Sequence, residues 1–468
     1  MQTNTADYST GRPGFLLARL YRCFGLRTKH SGPTLLPPLN SPSAVRNEKL
    51  FSQPTSSALT VSPPPTSTRP PRFAGTRVIV VVFSYYEKDP RVRREAEALK
   101  RAGADVEVIC LRAHLDDVLR TEIEGVRLQR IPLKRRREGK IIYAYQYAVF
   151  LLAALFRVSL WSMKKRGGLV HIHNMPDILV FSALLARVRG AKVVLDLHDP
   201  MPELMRSIND LPESHWLIGA LKRLEKWSIS FAHFVLTPNI AFKELFVNRG
   251  CPSDKICVVM NSPEEKYFHR ASTSFPEPKR TGSFTLIYHG LLEQRSGADL
   301  AVRALPLVRK QIPDVHLHIY GDRTQFLDET IRFAAEIGVQ DCVTFHGFKP
   351  LNEIVAAILA ADLGLVPNRL TPFTQLNLPT RIFEYLAMGK PVVAPRTKGV
   401  LDYFTEDELM FFEPGNSEDL AGRIVWAFEH PQELLKFVEK GAKVQQAKAW
   451  QFEQDRFLHT VDQLLSKR

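Results

Sequence analysis

An alternation of apolar strands with amphipathic helices, run through twice, most limits the folds open to this chain. "RVIVVVF" (77–83) is continuous, apolar and rich in β-branched residues, as a strand buried on both faces requires. A helix, "PRVRREAEALKRAG" (90–103), follows and is closed by Gly103. The strand "DVEVICL" (105–111) completes a βαβ unit, which implies a parallel sheet. The rhythm continues through "GLVHIHN", a helix over "DILVFSALLARVRG", "AKVVLDLHD", "HFVLTPN", a helix over "AFKELFVNRG", and "KICVVMN".

After Asn261 it stops. "SPEEKYFHRASTSFPEPKRTGS" has little to bury and reads as an interdomain connection. It then restarts with "FTLIYHG" (284–290) and runs to "PVVAP" (391–395), and the chain ends in helical sequence. The expectation is α/β, with two tandem Rossmann-like doubly wound domains behind a disordered tail. The boundaries expected are a Pro/Ser-rich basic tail over 1–75, an N-terminal domain over 76–265, a linker over 266–284, a C-terminal domain over 285–445, and a helix over 446–468 that crosses back to the N-terminal domain. Ligands of such sheets bind beyond the carboxyl ends of the strands, so the crevice between the domains is the expected site.

Charge narrows the partners. The net charge is +14, but residues 1–72 hold nine Lys/Arg against Asp7 and Glu48, and "RIPLKRRREGK" (130–140) holds six basic residues against one acid. These two stretches carry 7 + 5 = 12 of the excess charges. A broad nucleic-acid face is therefore excluded, and local contact with an anionic membrane surface is favoured. The five cysteines show neither metal-ligand nor redox-motif spacing, which fits a reducing compartment. No signal peptide is expected, since "FLLARLYRCF" is short and broken by Arg19 and Arg22.

The chemistry gathers in "LPTRIFEYLAMGKPVVAP" (378–395). Arg381 and Glu384 are three residues apart on one helical face, close to an N-terminus that favours phosphate. A carboxylate there accepts hydrogen bonds from a diol, and the guanidinium holds a diphosphate. An Arg–Glu ion pair on a solvated helix is the plainer alternative.

This stretch resembles the signature helix of the GT-B nucleotide-sugar glycosyltransferases, retaining family 4. "LIYHGLLEQRSGADLAVRAL", "LHIYGD" and "ADLGLVP" are similar to preceding segments of that family, and "DPRVRREAEALKRAGADVEVI", "HIHNMPD" and "LDLHDPMPE" to its N-terminal half. The resemblance implies that Glu384 binds the donor ribose. It also implies donor contacts from Gly290, Arg295, Leu378, Thr380 and Arg381, with His346, Gly347 and Phe348 lining the nucleobase pocket. There are departures. The family's second Glu is Leu376 here, its glycine-rich turn is "LNLPT", and its usual Arg and Lys are Leu291 and Ser296, which leaves Arg295 as the replacement cation.

In the first half, His198 and Asp199 are implied as catalytic, with His173, Asn174 and Glu203 on the acceptor side. The implied reaction moves a sugar from a nucleotide-sugar donor to a lipid-linked or cell-surface glycan acceptor with retention, without metal or other cofactor. Two rivals stand beside it. One is a metal-dependent hydrolase, because His171 and His173 share a strand face, as do Asp196 and His198. The other is an inactive nucleotide-sugar-binding module.

"IIYAYQYAVFLLAALFRVSLWSMKKRGG" is nearly long enough to span a bilayer, but Gln146 and Arg157 interrupt it. With its tyrosines, Trp161 and basic flanks it suits an interfacial helix. The expected location is cytoplasmic, peripheral at the inner face of the membrane.

Overall fold

A computed structural model of the chain describes residues 72–114, 116–133, 140–269 and 283–467, all within one compact unit. The expected tail, most of the basic run and most of the linker lie outside the described residues.

Two sheets organise the fold. The N-terminal sheet has eight strands: β1 (Arg77–Val81), β2 (Asp105–Leu111), β3 (Arg120–Ile123), β4 (Val126–Ile131), β5 (Leu169–His173), β6 (Lys192–Asp196), β7 (Phe234–Thr237) and β8 (Ile256–Val258). Their order is β3-β4-β2-β1-β5-β6-β7-β8, parallel except for the β3–β4 pair. The C-terminal sheet has β9 (Phe284–His289), β10 (Val315–Tyr320), β11 (Val343–Gly347), β12 (Leu363–Leu365), β13 (Val392–Pro395) and β14 (Met410–Phe412). Its order, β11-β10-β9-β12-β13-β14, is that of a Rossmann domain, with the reversal between β9 and β12. Both sheets therefore switch direction beside their first strand, and the carboxyl ends at those points carry His173, His198, His289 and Gly290.

Three strands escape the sequence reading. β3 and β4 form an edge hairpin whose two-residue turn, Glu124–Gly125, has positive φ at both positions (50° and 76°), the type I′ pattern. Its alternating charged residues read as a loop. β14 is three residues long.

In the N-terminal lobe, helix α1 (Pro90–Arg101) starts at Asp89, whose side chain accepts from Val92 N. Its sheet-facing side buries Arg91, Arg94 and Glu95 as well as Val92 and Leu99. Helix α2 (Lys140–Lys164) buries Gln146, Phe150, Ala154, Val158 and Trp161 at helical spacing against the sheet. Its other side exposes Ile142, Tyr145, Leu152, Phe156, Leu160 and Met163. Residues Ile142–Lys164 are long and apolar enough to cross a membrane by length and composition.

The long helix expected over 177–190 is instead a 3-10 turn (Asp177–Ala183) leading into a short α3 (Leu184–Val188). The Asp177 carbonyl accepts from Ser228 Oγ rather than from an α-helical amide. Helices α4 (Met201–Asn209), α5 (Trp216–Phe231) and α6 (Ile240–Asn248) complete the lobe.

The C-terminal lobe carries α7 (Ala298–Gln311), α8 (Gln325–Glu336), α9 (Leu351–Ala360), α10 (Thr380–Ala387), α11 (Lys398–Leu401), α12 (Ser417–Glu429) and α13 (Pro431–Ala447). The tight turn before α7 requires glycine. Gly297 has φ 69°, and an added Cβ would lie 1.8 Å from the Pro367 carbonyl oxygen.

The last helix, α14 (Trp450–Ser466), packs in the N-terminal lobe. Trp450, Phe457, Leu458, Val461 and Leu464 share a core with Val78, Val80, Val92 and Leu99. A second tie is Phe373, from the loop ahead of α10, which is buried in the N-terminal core 5.9 Å from the Phe242 ring. Its backbone N–H donates to Ser207 Oγ at 3.0 Å.

Candidate functional site

The residues expected to contact the donor come together where β9 ends against α10. Proline at the N-cap leaves the first turn of α10 without a side-chain cap; Ile382 N–H donates to the Pro379 carbonyl, and the N–H groups of Thr380 and Arg381 are those placed to meet an anion. Arg381 lies over the Tyr288 ring at 4.6 Å, beside Gly290, and its buried Nη1 has no hydrogen-bond partner. Gly290 has φ 125°, and an added Cβ would sit 3.5 Å from the Arg381 guanidinium. Thr380 Oγ1 accepts from Asn261 Nδ2 at 3.4 Å, joining the helix start to the end of the N-terminal lobe.

Glu384 is one turn further on. Its Oε2 is 3.3 Å from His289 Nε2, which makes no hydrogen bond. Burial pushes the Glu384 carboxyl up to about 7, against the pull of the Arg381 and Arg94 charges. Burial, then the Arg381 charge, push His289 down to about 3, so its ring is neutral.

Arg94 is the residue that sequence reasoning missed. It is 4% exposed, inside the N-terminal lobe, and donates to the Ser262 carbonyl and to Asn261 Oδ1. Its charge reaches Glu384 from the opposite lobe. The signal in the sequence was a run of charges on the buried stripe of α1, at positions 91, 94, 95 and 98, where only Ala98 is apolar.

Arg295 Nη1 is 2.7 Å from Glu293 Oε2, and its guanidinium lies 5.7 Å from the Phe373 ring centre. Its charge also acts on Asp199 across the cleft. His346 stacks on Tyr320 at 4.3 Å and shares a hydrogen bond with His318 at 2.8 Å. Gly347 turns the chain at φ 70°, and Phe348 stands exposed beyond it. Leu378 is partly buried and packs against the core beneath α10.

On the side expected to meet the acceptor, Asp196 anchors a chain of polar groups. Burial would raise its carboxyl, but the Arg91 charge and then His198 hold it well below the usual range. Arg91 grips it with two bonds, at 2.8 and 2.9 Å. His198 Nε2 is 3.2 Å from Asp196 Oδ2 and 2.9 Å from His173 Nδ1. Burial alone would lower His198, and Asp196 reverses that, so its pKa is raised. Asn174 Oδ1 accepts from His198 N, while Asn174 Nδ2 donates to Asp177 Oδ1 and to the Asp199 carbonyl, all at 2.9 Å. Burial raises the Asp199 carboxyl.

The structure thus gathers His173, Asn174, His198 and Asp199. Glu203 is committed elsewhere. It pairs with Arg249, which also holds Glu225 at 3.1 Å, in a largely buried triad. Of the four residues behind the metal-hydrolase reading, His171, His173 and Asp196 are each 0% exposed, and His198 reaches solvent with 21% of its side chain. Burial pushes the Glu95 carboxyl up to about 8.

Comparison with known proteins agrees with this geometry. Residues 89–262 match a family model described as a glycosyl transferase 4-like domain, and residues 269–444 match glycosyl transferases group 1. A glycogen synthase of Mycobacterium tuberculosis is 27% identical over 240 residues, 50% of this chain and 53% of that protein. The chain thus spans about half the length of this curated relative. Among solved structures, a sucrose-phosphate synthase from Thermosynechococcus elongatus superposes with a TM-score of 0.68 at 18% identity, covering 84% of this chain and 100% of that one. HepE from Anabaena, solved with UDP and glucose, gives 0.62 at 16% identity, over 83% and 100%. Two family matches in tandem, on two Rossmann lobes that face one another across the Arg381–Glu384 helix, place this chain in the GT-B glycosyltransferases of the group 1, family 4-like type.

Proposed function

We propose that this protein transfers a sugar from a nucleotide-sugar donor to a glycan or lipid-linked acceptor, retaining the anomeric configuration. The observation that carries the reading is the pairing of Arg381 and Glu384 at the uncapped start of α10, with Arg94 reaching the same carboxylate from the other lobe. Glu384 accepts hydrogen bonds from the ribose hydroxyls. Arg381, the amides around Leu378 and Thr380, and the approach at Gly290 receive the diphosphate. Arg295 exchanges its Glu293 partner for the same anion. Phe348 offers an exposed ring to the nucleobase, behind which His346 and Gly347 form the wall.

In the reaction the anomeric C–O bond to the diphosphate breaks. The acceptor oxygen bonds to the same face of the sugar, and its proton passes to the departing diphosphate oxygen. Fixed cations and the helix start stabilise the leaving group, so the step takes no metal or other cofactor. His198 and Asp199 line the reacting sugar, and His173 and Asn174 hold them in place. Glu203 supports this wall through Arg249 rather than by touching the acceptor.

The outer face of α2 supports a peripheral location on an anionic membrane, at its cytoplasmic side. Tyr145, Leu152, Phe156, Leu160 and Met163 form one exposed apolar stripe that ends at Lys164, Lys165 and Arg166. A lipid-linked acceptor would be met there.

The test is calorimetric titration with UDP-, GDP- and ADP-sugars, followed by release of nucleoside diphosphate in the presence of lipid extract. Saturable binding lost in Glu384→Ala, together with turnover, supports the reading. Donor binding without turnover on any acceptor would assign a binding module instead, and no binding of any nucleotide sugar overturns the proposal.

A further inference from the structure

We propose that Glu95, His171, His173 and Asp196 form a buried zinc site that pins α1 to the N-terminal sheet. The inference does not depend on the transfer reaction. Alternation along β5 puts His171 and His173 on one face, their ring centres 4.3 Å apart, beneath α1. Glu95 Oε2 lies 3.5 Å from His171 Nε2 and 3.9 Å from His173 Nε2. One ligand atom from each of the four residues falls within 4.8 Å of all the others.

Asp196 is bonded to Arg91, whose Nη2 also lies 3.3 Å from Glu95 Oε1, but the ligand atoms of the other three residues lack hydrogen-bond partners. Both Glu95 oxygens, both His171 nitrogens and His173 Nε2 are buried without a hydrogen bond. A polar group buried in this way costs free energy unless something satisfies it. Several such atoms converging on one point indicate a shared partner. Nitrogen and oxygen ligands bind zinc at about 2.0–2.2 Å, which sets tetrahedral ligands roughly 3.3 Å apart. The 3.5 and 3.9 Å separations are close to that spacing.

The surroundings fit. A metal-bound imidazole commonly gives its other nitrogen to a carboxylate, which fixes the ring. Here His173 Nδ1 is bonded to His198 Nε2 at 2.9 Å, which fixes the ring in the same way, and Arg91 holds Asp196, the fourth ligand, in place. The Phe457 ring of α14 lies 5.7 Å from His171. With all four ligands inaccessible to solvent, the site has the closed character of a structural metal and no room for hydrolysis. Two neutral imidazoles and two carboxylates, with no thiolate, suit zinc among the common divalent ions.

The experiment is metal analysis of the full-length protein after desalting, with thermal melting before and after a strong chelator. About one zinc per chain is expected, with a melting point that falls on chelation and recovers with Zn²⁺ but not Mg²⁺. Exchange with Co²⁺ should give the visible absorption of a tetrahedral site. His171→Asn and Glu95→Gln should each lose the metal. If either variant fails to fold, the wild-type stoichiometry and the cobalt spectrum decide. A protein free of zinc, whose melting ignores both chelator and Zn²⁺, overturns the proposal and leaves the cluster to shared protons. Zinc retained in both variants overturns it too, because the ion then lies elsewhere.

Discussion

His289 Nε2 lies 3.3 Å from Glu384 Oε2, and the ring is neutral, so the carboxylate that faces the cleft has no buried cation bonded to it. The Arg381 and Arg94 charges act on it, yet burial still leaves its carboxyl near 7. In the proposed function this carboxylate is kept for the donor rather than spent on an ion pair, and burial pushes its carboxyl up to about 7.

Donor affinity should follow that titration. Ribose hydroxyls bond best to the ionised form, so affinity should weaken as pH falls below about 7 and level off above it. Titrations of the nucleotide sugar at pH 6, 7 and 8, approximate values chosen to bracket that pKa, check this. In Glu384→Gln the pH dependence should flatten, and affinity should drop roughly 10- to 100-fold, the loss expected for hydrogen bonds to a charged group.

The same shift has a sign for stability. The folded carboxyl holds its proton more tightly than the usual 4.5, so the folded state binds more protons in that window. Stability from this group is therefore lost as pH rises from 4.5 to about 7, and is constant above that. Urea midpoints for wild type and Glu384→Gln should diverge in favour of the variant across this window. A difference independent of pH would contradict the assignment.

Arg249→Ala should be strongly destabilising. It strands the Glu203 and Glu225 carboxylates, both largely buried. Removing one partner of a buried ion pair costs about 3–5 kcal/mol. Chemical denaturation measures this, and Lys in place of Ala should recover part of the loss.

Leu152→Glu with Phe156→Glu should leave folding intact, because the buried side of α2 lies at Phe150, Ala154 and Val158. Flotation with anionic vesicles should fall at least several-fold, since each change removes apolar contact and adds repulsion. Unchanged flotation would show that α2 does not meet the bilayer.

What the sequence revealed depended on how each segment is buried. Val78–Val82 and Val392–Ala394 are covered on both faces, so their apolar runs announce central strands. The β3–β4 hairpin sits at an edge, where Arg120, Glu122 and Arg127 face water and the pattern resembles a loop. The Arg381–Glu384 pair was visible because both side chains act within one helix. Arg94 and Glu95 were not, because α1 reads as an ordinary amphipathic helix until α14 and residues 261–262, distant in sequence, cover its charged side. The family resemblance implied Glu203 on the acceptor side, and only the fold shows Arg249 claiming it.

Phe373 has a mechanical consequence. Its ring belongs to the loop that leads into α10, yet it is seated among N-terminal core residues beside Phe242. Prising the lobes fully apart would expose that ring to water, at about 1.5–3 kcal/mol. The protein therefore has a latch at one corner of its mouth. Any opening that keeps the ring seated must turn close to it, and the helix that carries Glu384, which begins seven residues further along the chain, would then move least.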